Sequence, residues 1–217
     1  YRYRMNQLLR LQEIRANISR DLHDDIGSTL GSIHLYSQLA KHKGGIENEE
    51  GVKDILEKIE SGSKEIMEKT ADTVWFVNTS SDTFGNLLAR MHSHATAVLP
   101  AFGIDVSVET DPQLDKLRLG MMEKKNFFLI FKEAIFNITR YAKASNVTVT
   151  TIRKGRRVIL RIHDNGEGFD PVTAVQQPKG GGNGLKNMRK RAEEAGAELE
   201  ISSAPGKGTT IELTFSP

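Results

Sequence analysis

Apolar residues recur at Leu8, Leu11, Ile18, Leu22, Ile26, Leu30 and Ile33 in steps of three, four or seven, with no proline between Met5 and Lys43. That period predicts a long amphipathic helix. Gly44-Gly45 interrupts it, and a second stripe, Val52, Ile55, Ile59, Ile66, Thr73 and Val77, restarts the same rhythm. Two such helices predict an antiparallel hairpin over residues 1–78. A lone hairpin cannot bury both seams, and pairing two copies into a four-helix bundle covers them, so a homodimer is expected.

Thr79-Ser80-Ser81-Asp82 reads as a linker, 79–82, with Asp82 placed to cap a helix through Leu87, Leu88, Met91 and Val98. From 83 to 217 the pattern changes. Strands are expected at Ile104 to Val108, Val147 to Arg153, Val158 to His163, Glu198 to Ser202 and Thr209 to Phe215. Helices are expected from Met121 to Ala144 and Asn183 to Ala195. The alternation implies a two-layer α+β domain, a mixed sheet covered by helices on one face.

The 217 residues are 38% hydrophobic and 27% charged, the balance of a packed globular chain. A net charge of +2 from well-mixed signs argues against a nucleic-acid footprint. The one dense basic run, Arg153-Lys154-Gly155-Arg156-Arg157, fits a solvated hairpin turn. The absence of cysteine excludes disulfides, thiolate metal sites and a cysteine nucleophile. Phe127-Phe128-Leu129-Ile130-Phe131 is far shorter than the roughly 20 apolar residues that cross a bilayer.

Three segments carry candidate chemistry. Asp164-Asn165-Gly166-Glu167-Gly168-Phe169 follows a strand, and its glycines allow a tight turn and close approach of a ligand; a plain turn is the alternative. Gly180-Gly181-Gly182-Asn183-Gly184-Leu185 opens a helix, whose free N–H groups suit phosphate oxygens, unless the glycines are simply a flexible linker. Pro171 to Lys179, between them, could close as a lid. Glu133, Asn137 and Arg140 are spaced by four and three and share a helical face. Asn137 can give a magnesium ion one oxygen, with phosphates and water completing the shell. Arg140 can neutralise phosphate charge and Tyr141 can stack on a base, or the face is merely solvated.

In this order, followed by Ala204-Pro205-Gly206-Lys207-Gly208-Thr209, these segments resemble the ATP-binding (Bergerat-type) domain of the GHKL superfamily, which includes DNA gyrase, mismatch-repair ATPases and histidine kinases. The resemblance covers roughly Asp82 to the C-terminus. It implies that Asp164 receives the adenine amino group, that Asn137 and Glu133 serve magnesium, and that Gly182 and Gly184 let the lid approach the phosphates. It also assigns Arg140, Tyr141, Lys143, Gly166, Gly168, Leu185 and Thr209 to the ATP site.

Glu13-Ile14-Arg15 with Ser19-Arg20-Asp21-Leu22-His23-Asp24-Asp25-Ile26-Gly27 resembles the phosphoacceptor box of two-component sensor histidine kinases whose motif reads DLHD, the HisKA_3-like subfamily. This implies ATP-dependent autophosphorylation of His23 and relay to an aspartate of a response regulator. His23 lies one position, about 100°, from Leu22 of the seam, at the flank of a bundle where another domain can reach it. A neutral imidazole keeps a lone pair for attack on a γ-phosphate. Asp24 is the candidate for orienting the ring or accepting its proton, through a suitable rotamer or a water.

Tyr1-Arg2-Tyr3-Arg4 resembles residues flanking the cytoplasmic end of a membrane helix, so the expectation is the cytoplasmic portion of a longer, membrane-anchored bacterial sensor. Ser28 stands where the subfamily often has a glutamine that supports phosphatase action, and Tyr141 where close relatives often have histidine. His92 and His94, two apart on a helix, point to different sides. His34 reads as a bundle-surface residue, and His163 as structural. The rival readings are a serine protein kinase of the same ATP-binding class and a dimerising scaffold with a degenerate nucleotide site.

Overall fold

The computed structural model describes residues 26–40, 49–78, 80, 82–170 and 182–217. It divides into two compact units, Tyr1–Asn78 and Thr79–Pro217.

In the first unit, α1 (26–40) and α2 (Glu49–Val77) are the described parts of the two helices expected from periodicity. A Cβ added to Gly62 would stand 3.0 Å from Ile33 Cγ1 and 3.6 Å from Thr29 Cγ2. Nearer the start of α2, Lys58 Nζ lies 5.7 Å from the centroid of the Tyr36 ring on α1. Positions rising along one helix therefore meet positions falling along the other, the antiparallel hairpin. Asp54, one turn before Lys58, hydrogen-bonds its ammonium at 2.6 Å and raises its pKa above the ordinary lysine value. Val52, Leu56, Met67 and Val74 of α2 remain exposed. At 100° per residue these four fall within about 60° of one another, a single apolar stripe along the helix.

The second unit contains α3 (Phe84–Val98), β1 (Asp105–Glu109), α4 (Met121–Asn137), β2 (Asn146–Lys154), β3 (Arg157–Asp164), α5 (Gly182–Glu194), β4 (Glu198–Ser203) and β5 (Thr209–Phe215). The sheet order is β1-β2-β3-β5-β4, with β1 and β2 parallel and the other pairs antiparallel. Alternation decides the faces: Val147 and Val149, Val158, Leu160 and Ile162, and Ile211, Leu213 and Phe215 are buried. Phe215 joins sheet to helices, its ring centroid 4.9 Å from that of Phe127 on α4 and 5.6 Å from that of Phe84 on α3. His94 stands edge-on to Phe128 and Phe131, whereas His92 is exposed, so the two do point apart.

Two local expectations are corrected. The N-cap of α3 is Thr83, whose hydroxyl accepts from Asn86 N–H at 3.3 Å, rather than Asp82. Asp82 is taken by Lys124, a fully buried lysine of α4 whose Nζ lies 2.5 Å from Asp82 Oδ1. A buried ammonium needs a carboxylate more than a helix end needs a cap. The segment around it is zipped to the strand-like stretch before α4: Phe84 N–H donates to the Leu117 carbonyl and Leu119 N–H to that of Asp82. The helix expected to run to Ala144 is α-helical only to Asn137, then widens into a π turn over Ile138–Ala142. Lys143 ends it at φ 49°, the one non-glycine in the left-handed region among the described residues.

Candidate functional site

Asp164 closes β3 with 3% of its surface exposed. Its Oδ1 accepts the Gly166 N–H at 2.9 Å, which bends the chain into a tight turn and leaves Oδ2 for another donor. Asn165 pins this turn sideways: its Oδ1 accepts from Ser145 N–H at 3.0 Å and Asn146 N–H at 2.9 Å. Glu167 N–H donates to the Ala142 carbonyl at 2.7 Å, and Lys143 Nζ pairs with Glu167 Oε1 at 2.9 Å. The π turn after α4 and the turn after β3 are thus one braced unit. Such wide turns recur where helices serve a site.

The glycines here are fixed by their neighbours. A methyl at Gly166 would run into the Ala142 carbonyl, and one at Gly168, where φ is +64°, into that of Ala204. At Gly208, φ +70°, it would meet the Asp164 carbonyl. The loop Ala204 to Gly208 therefore lies against Asp164 to Gly168, and Gly206 N–H donates to the Glu167 carbonyl at 2.5 Å. Thr209 stands directly opposite Asp164 in the β3–β5 register, placing both side chains on one face.

A second group gathers where α4 meets the start of α5. Glu133 and Asn137 lie on one face of α4, and a Cβ on Gly184 would collide with Glu133 Oε1 and stand 3.7 Å from Asn137 Nδ2. Glycine at 184 thus makes room for the Glu133 carboxylate in the first turns of α5. Leu185, Met188 and Ala192 are buried and anchor α5 onto α4. Gly182 is the first residue of α5. The expected lid, 171–179, lies outside the described residues, as do His23 and Asp24.

Arg140 lies 5.6 Å from the ring of Phe136 and 5.8 Å from that of Tyr141, both about half exposed. An accessible aromatic surface next to Asn137 is therefore present, with a guanidinium against it. Among the described residues no group of three or more His, Cys, Asp or Glu is placed to hold an ion. Glu133 and Asn137 offer oxygens alone, a donor set suited to a hard cation that takes its remaining ligands from phosphates and water. Ser203 was missed in the sequence. Its hydroxyl accepts from Phe169 N–H at 2.9 Å and reaches the Gly208 carbonyl and Thr209 Oγ1, each at 3.0 Å. Extending the period-two pattern of its strand by one residue would have placed it opposite Thr209.

Residues 15–81 match the HisKA_3 family model, described as histidine kinase, and residues 122–217 match that of the histidine kinase-, DNA gyrase B- and HSP90-like ATPases. Sensor histidine kinase LiaS of Bacillus subtilis is 27% identical over an alignment covering 94% of this chain and 54% of LiaS. The histidine-protein kinase/phosphatase UhpB of Salmonella typhimurium is 26% identical, covering 95% of this chain and 40% of UhpB. The chain thus spans about half the length, or less, of these curated relatives. Among solved structures, full-length ShkA in complex with AMPPNP aligns with a TM-score of 0.61 at 16% identity, over 92% of this chain and 45% of that one. The histidine kinase domain of the Erythrobacter litoralis EL346 blue-light activated kinase aligns at 0.55 and 17% identity, over 95% and 94%. These structural likenesses concern the fold.

Proposed function

The chain belongs to the HisKA_3-type sensor histidine kinases of two-component systems, and on that premise we propose that it phosphorylates itself on His23 with ATP bound by its own C-terminal domain. The observation that carries the nucleotide reading is the buried Asp164, clasped between the Ala142 and Ala204–Gly208 segments with one carboxylate oxygen left to accept. That oxygen takes the adenine amino group. Glu133 and Asn137, at the opening of α5, hold a magnesium ion, which supplies charge neutralisation on the phosphates. The N–H groups of the first turn of α5 and Arg140 receive phosphate oxygens. His23 Nε2 or Nδ1 attacks the γ-phosphorus in line, so that an N–P bond forms as the bond from that phosphorus to the β,γ-bridging oxygen breaks and ADP leaves, while the ring proton passes to Asp24 or water. Catalysis then rests on positioning and electrostatics.

The second half of the reaction passes the phosphoryl group to an aspartate of a response regulator receiver domain. The exposed α2 stripe, Val52, Leu56, Met67 and Val74, supports a homodimer that buries it in a four-helix bundle. No helix among the described residues is long and apolar enough to cross a membrane. We read the chain as the cytoplasmic portion of a membrane-anchored bacterial sensor, where ATP is at hand. Incubation with γ-labelled ATP and magnesium, followed by a purified receiver domain, tests the sequence of steps: label should enter the chain first and then leave for the receiver. Label that goes straight to a serine of a second protein would replace this reading with the serine kinase one.

A further inference from the structure

Three side chains stand in one row across the sheet. Asp164 on β3 faces Thr209 on β5, which in turn faces Ser203 on β4. Residues directly opposite on antiparallel strands project to the same side. Here that is the side whose neighbouring rows, Ile162 and Ile211 among them, are buried.

A serine hydroxyl owns one proton and can accept two hydrogen bonds. Three partners surround Ser203 Oγ: Phe169 N at 2.9 Å, the Gly208 carbonyl at 3.0 Å and Thr209 Oγ1 at 3.0 Å. Phe169 N–H can only donate, so it fills one accepting position. Gly208 is buried, and a buried carbonyl left without a donor is costly, so the serine proton goes to it. The remaining position on Ser203 can only accept. Thr209 must therefore spend its own proton on Ser203, and it turns only lone pairs toward the space beside Asp164. Oδ1 of Asp164 is engaged by Gly166 N–H, and Oδ2 is likewise an acceptor.

We propose that Ser203 is a positioning residue for base recognition: by fixing the direction of the Thr209 proton, it makes Asp164 and Thr209 an all-acceptor edge. Such an edge takes a purine with an exocyclic amino group and disfavours one with a carbonyl in its place. The proposal rests on the reading that this domain binds ATP. Removing the serine hydroxyl frees the Thr209 proton to point at the base, which relaxes the choice without removing the Asp164 acceptor.

The test titrates ATP and inosine triphosphate, each with magnesium, into the whole chain and into S203A, S203C and S203T, with folding checked by thermal melts. Wild type is expected to prefer ATP. S203A should lower the ATP-to-inosine-triphosphate affinity ratio about tenfold, the scale of one reoriented hydrogen bond. S203T, which keeps the hydroxyl, should retain the wild-type ratio. If S203A fails to fold, S203C preserves the volume with a weaker donor, and the ratio should fall there as well. A folded S203A or S203C whose ratio stays within twofold of wild type, even with both affinities reduced, overturns the proposal and leaves Ser203 a purely structural brace. Wild type that binds neither nucleotide overturns the ATP reading itself, a separate result.

Discussion

Gly206 and Gly208 sit two residues apart, with φ of +77° and +70°, yet their substitution by alanine should have different consequences. Each alanine pays for a left-handed backbone, about 1 kcal/mol. For a domain of this size that is a fall of about 4 °C in Tm. At Gly206 nothing stands within 4 Å of the added methyl, so the cost ends there. At Gly208 the methyl meets the Asp164 carbonyl and the Asn165 Cα, both backbone atoms that cannot swing aside like a side chain. The end of β3 must shift, and with it the carboxylate assigned to the adenine amino group. Losing one hydrogen bond to a charged acceptor costs roughly 1.5–3 kcal/mol, or about tenfold to a hundredfold in affinity. Calorimetric titration with ATP and magnesium should show G206A within twofold of wild type and G208A weaker by at least tenfold, with G208A also melting lower. Equal ATP affinities in the two folded variants would refute the link between Gly208, Asp164 and the base.

Further outcomes follow from other contacts. D82N removes the carboxylate that stands 2.5 Å from the buried Lys124 ammonium and should destabilise the C-terminal domain by about 3–5 kcal/mol; K124M, which leaves behind only the more exposed Asp82 charge, should cost less. Denaturant melts that rank them the other way would contradict the pairing. In the N-terminal unit, Leu56→Asp or Met67→Asp places a charge on the exposed α2 stripe and should shift sedimentation from dimer to monomer; an unchanged dimer would mean the interface lies elsewhere. Asp54 raises the Lys58 pKa, so their pairing contributes fully below the ordinary lysine pKa and is lost as pH rises through the elevated one. The difference in melting temperature between wild type and K58M should be flat from pH 6 to 9 and shrink only in alkali, and a change near neutrality would count against it.

Much of the fold could be read from spacing because the period reports directly on which side of an element is covered. The half-buried Ile55, Ile59, Ile66, Thr73 and Val77 of α2 and the strand alternation of Val147 to Val149 or Ile211 to Phe215 are of this kind. Asp82 shows where that reasoning stops. A capping preference is local, whereas its partner Lys124 lies 42 residues away, and no periodicity links them. The π turn at Ile138–Ala142 is equally hidden, since the periodicity continues through it; the tie that accompanies it, from Glu167 N–H to the Ala142 carbonyl, is tertiary and leaves no local signal. At the site, Asp164 and the glycines were visible as a cluster, but the reasons for the individual glycines were not. Gly184 was read as facing a lid, while the structure adds the Glu133 carboxylate against it. Ser203 stayed silent because one serine at a strand end carries no signal until the register sets it opposite Thr209.

The central claim is that His23 is the phosphorylated residue, and the chemical stability of the label tests it most directly. After incubation with γ-labelled ATP and magnesium, the label should be lost in acid, persist in alkali and be absent from His23→Gln, which should still bind ATP as wild type does. Label that survives acid, or that remains in His23→Gln, would contradict the account.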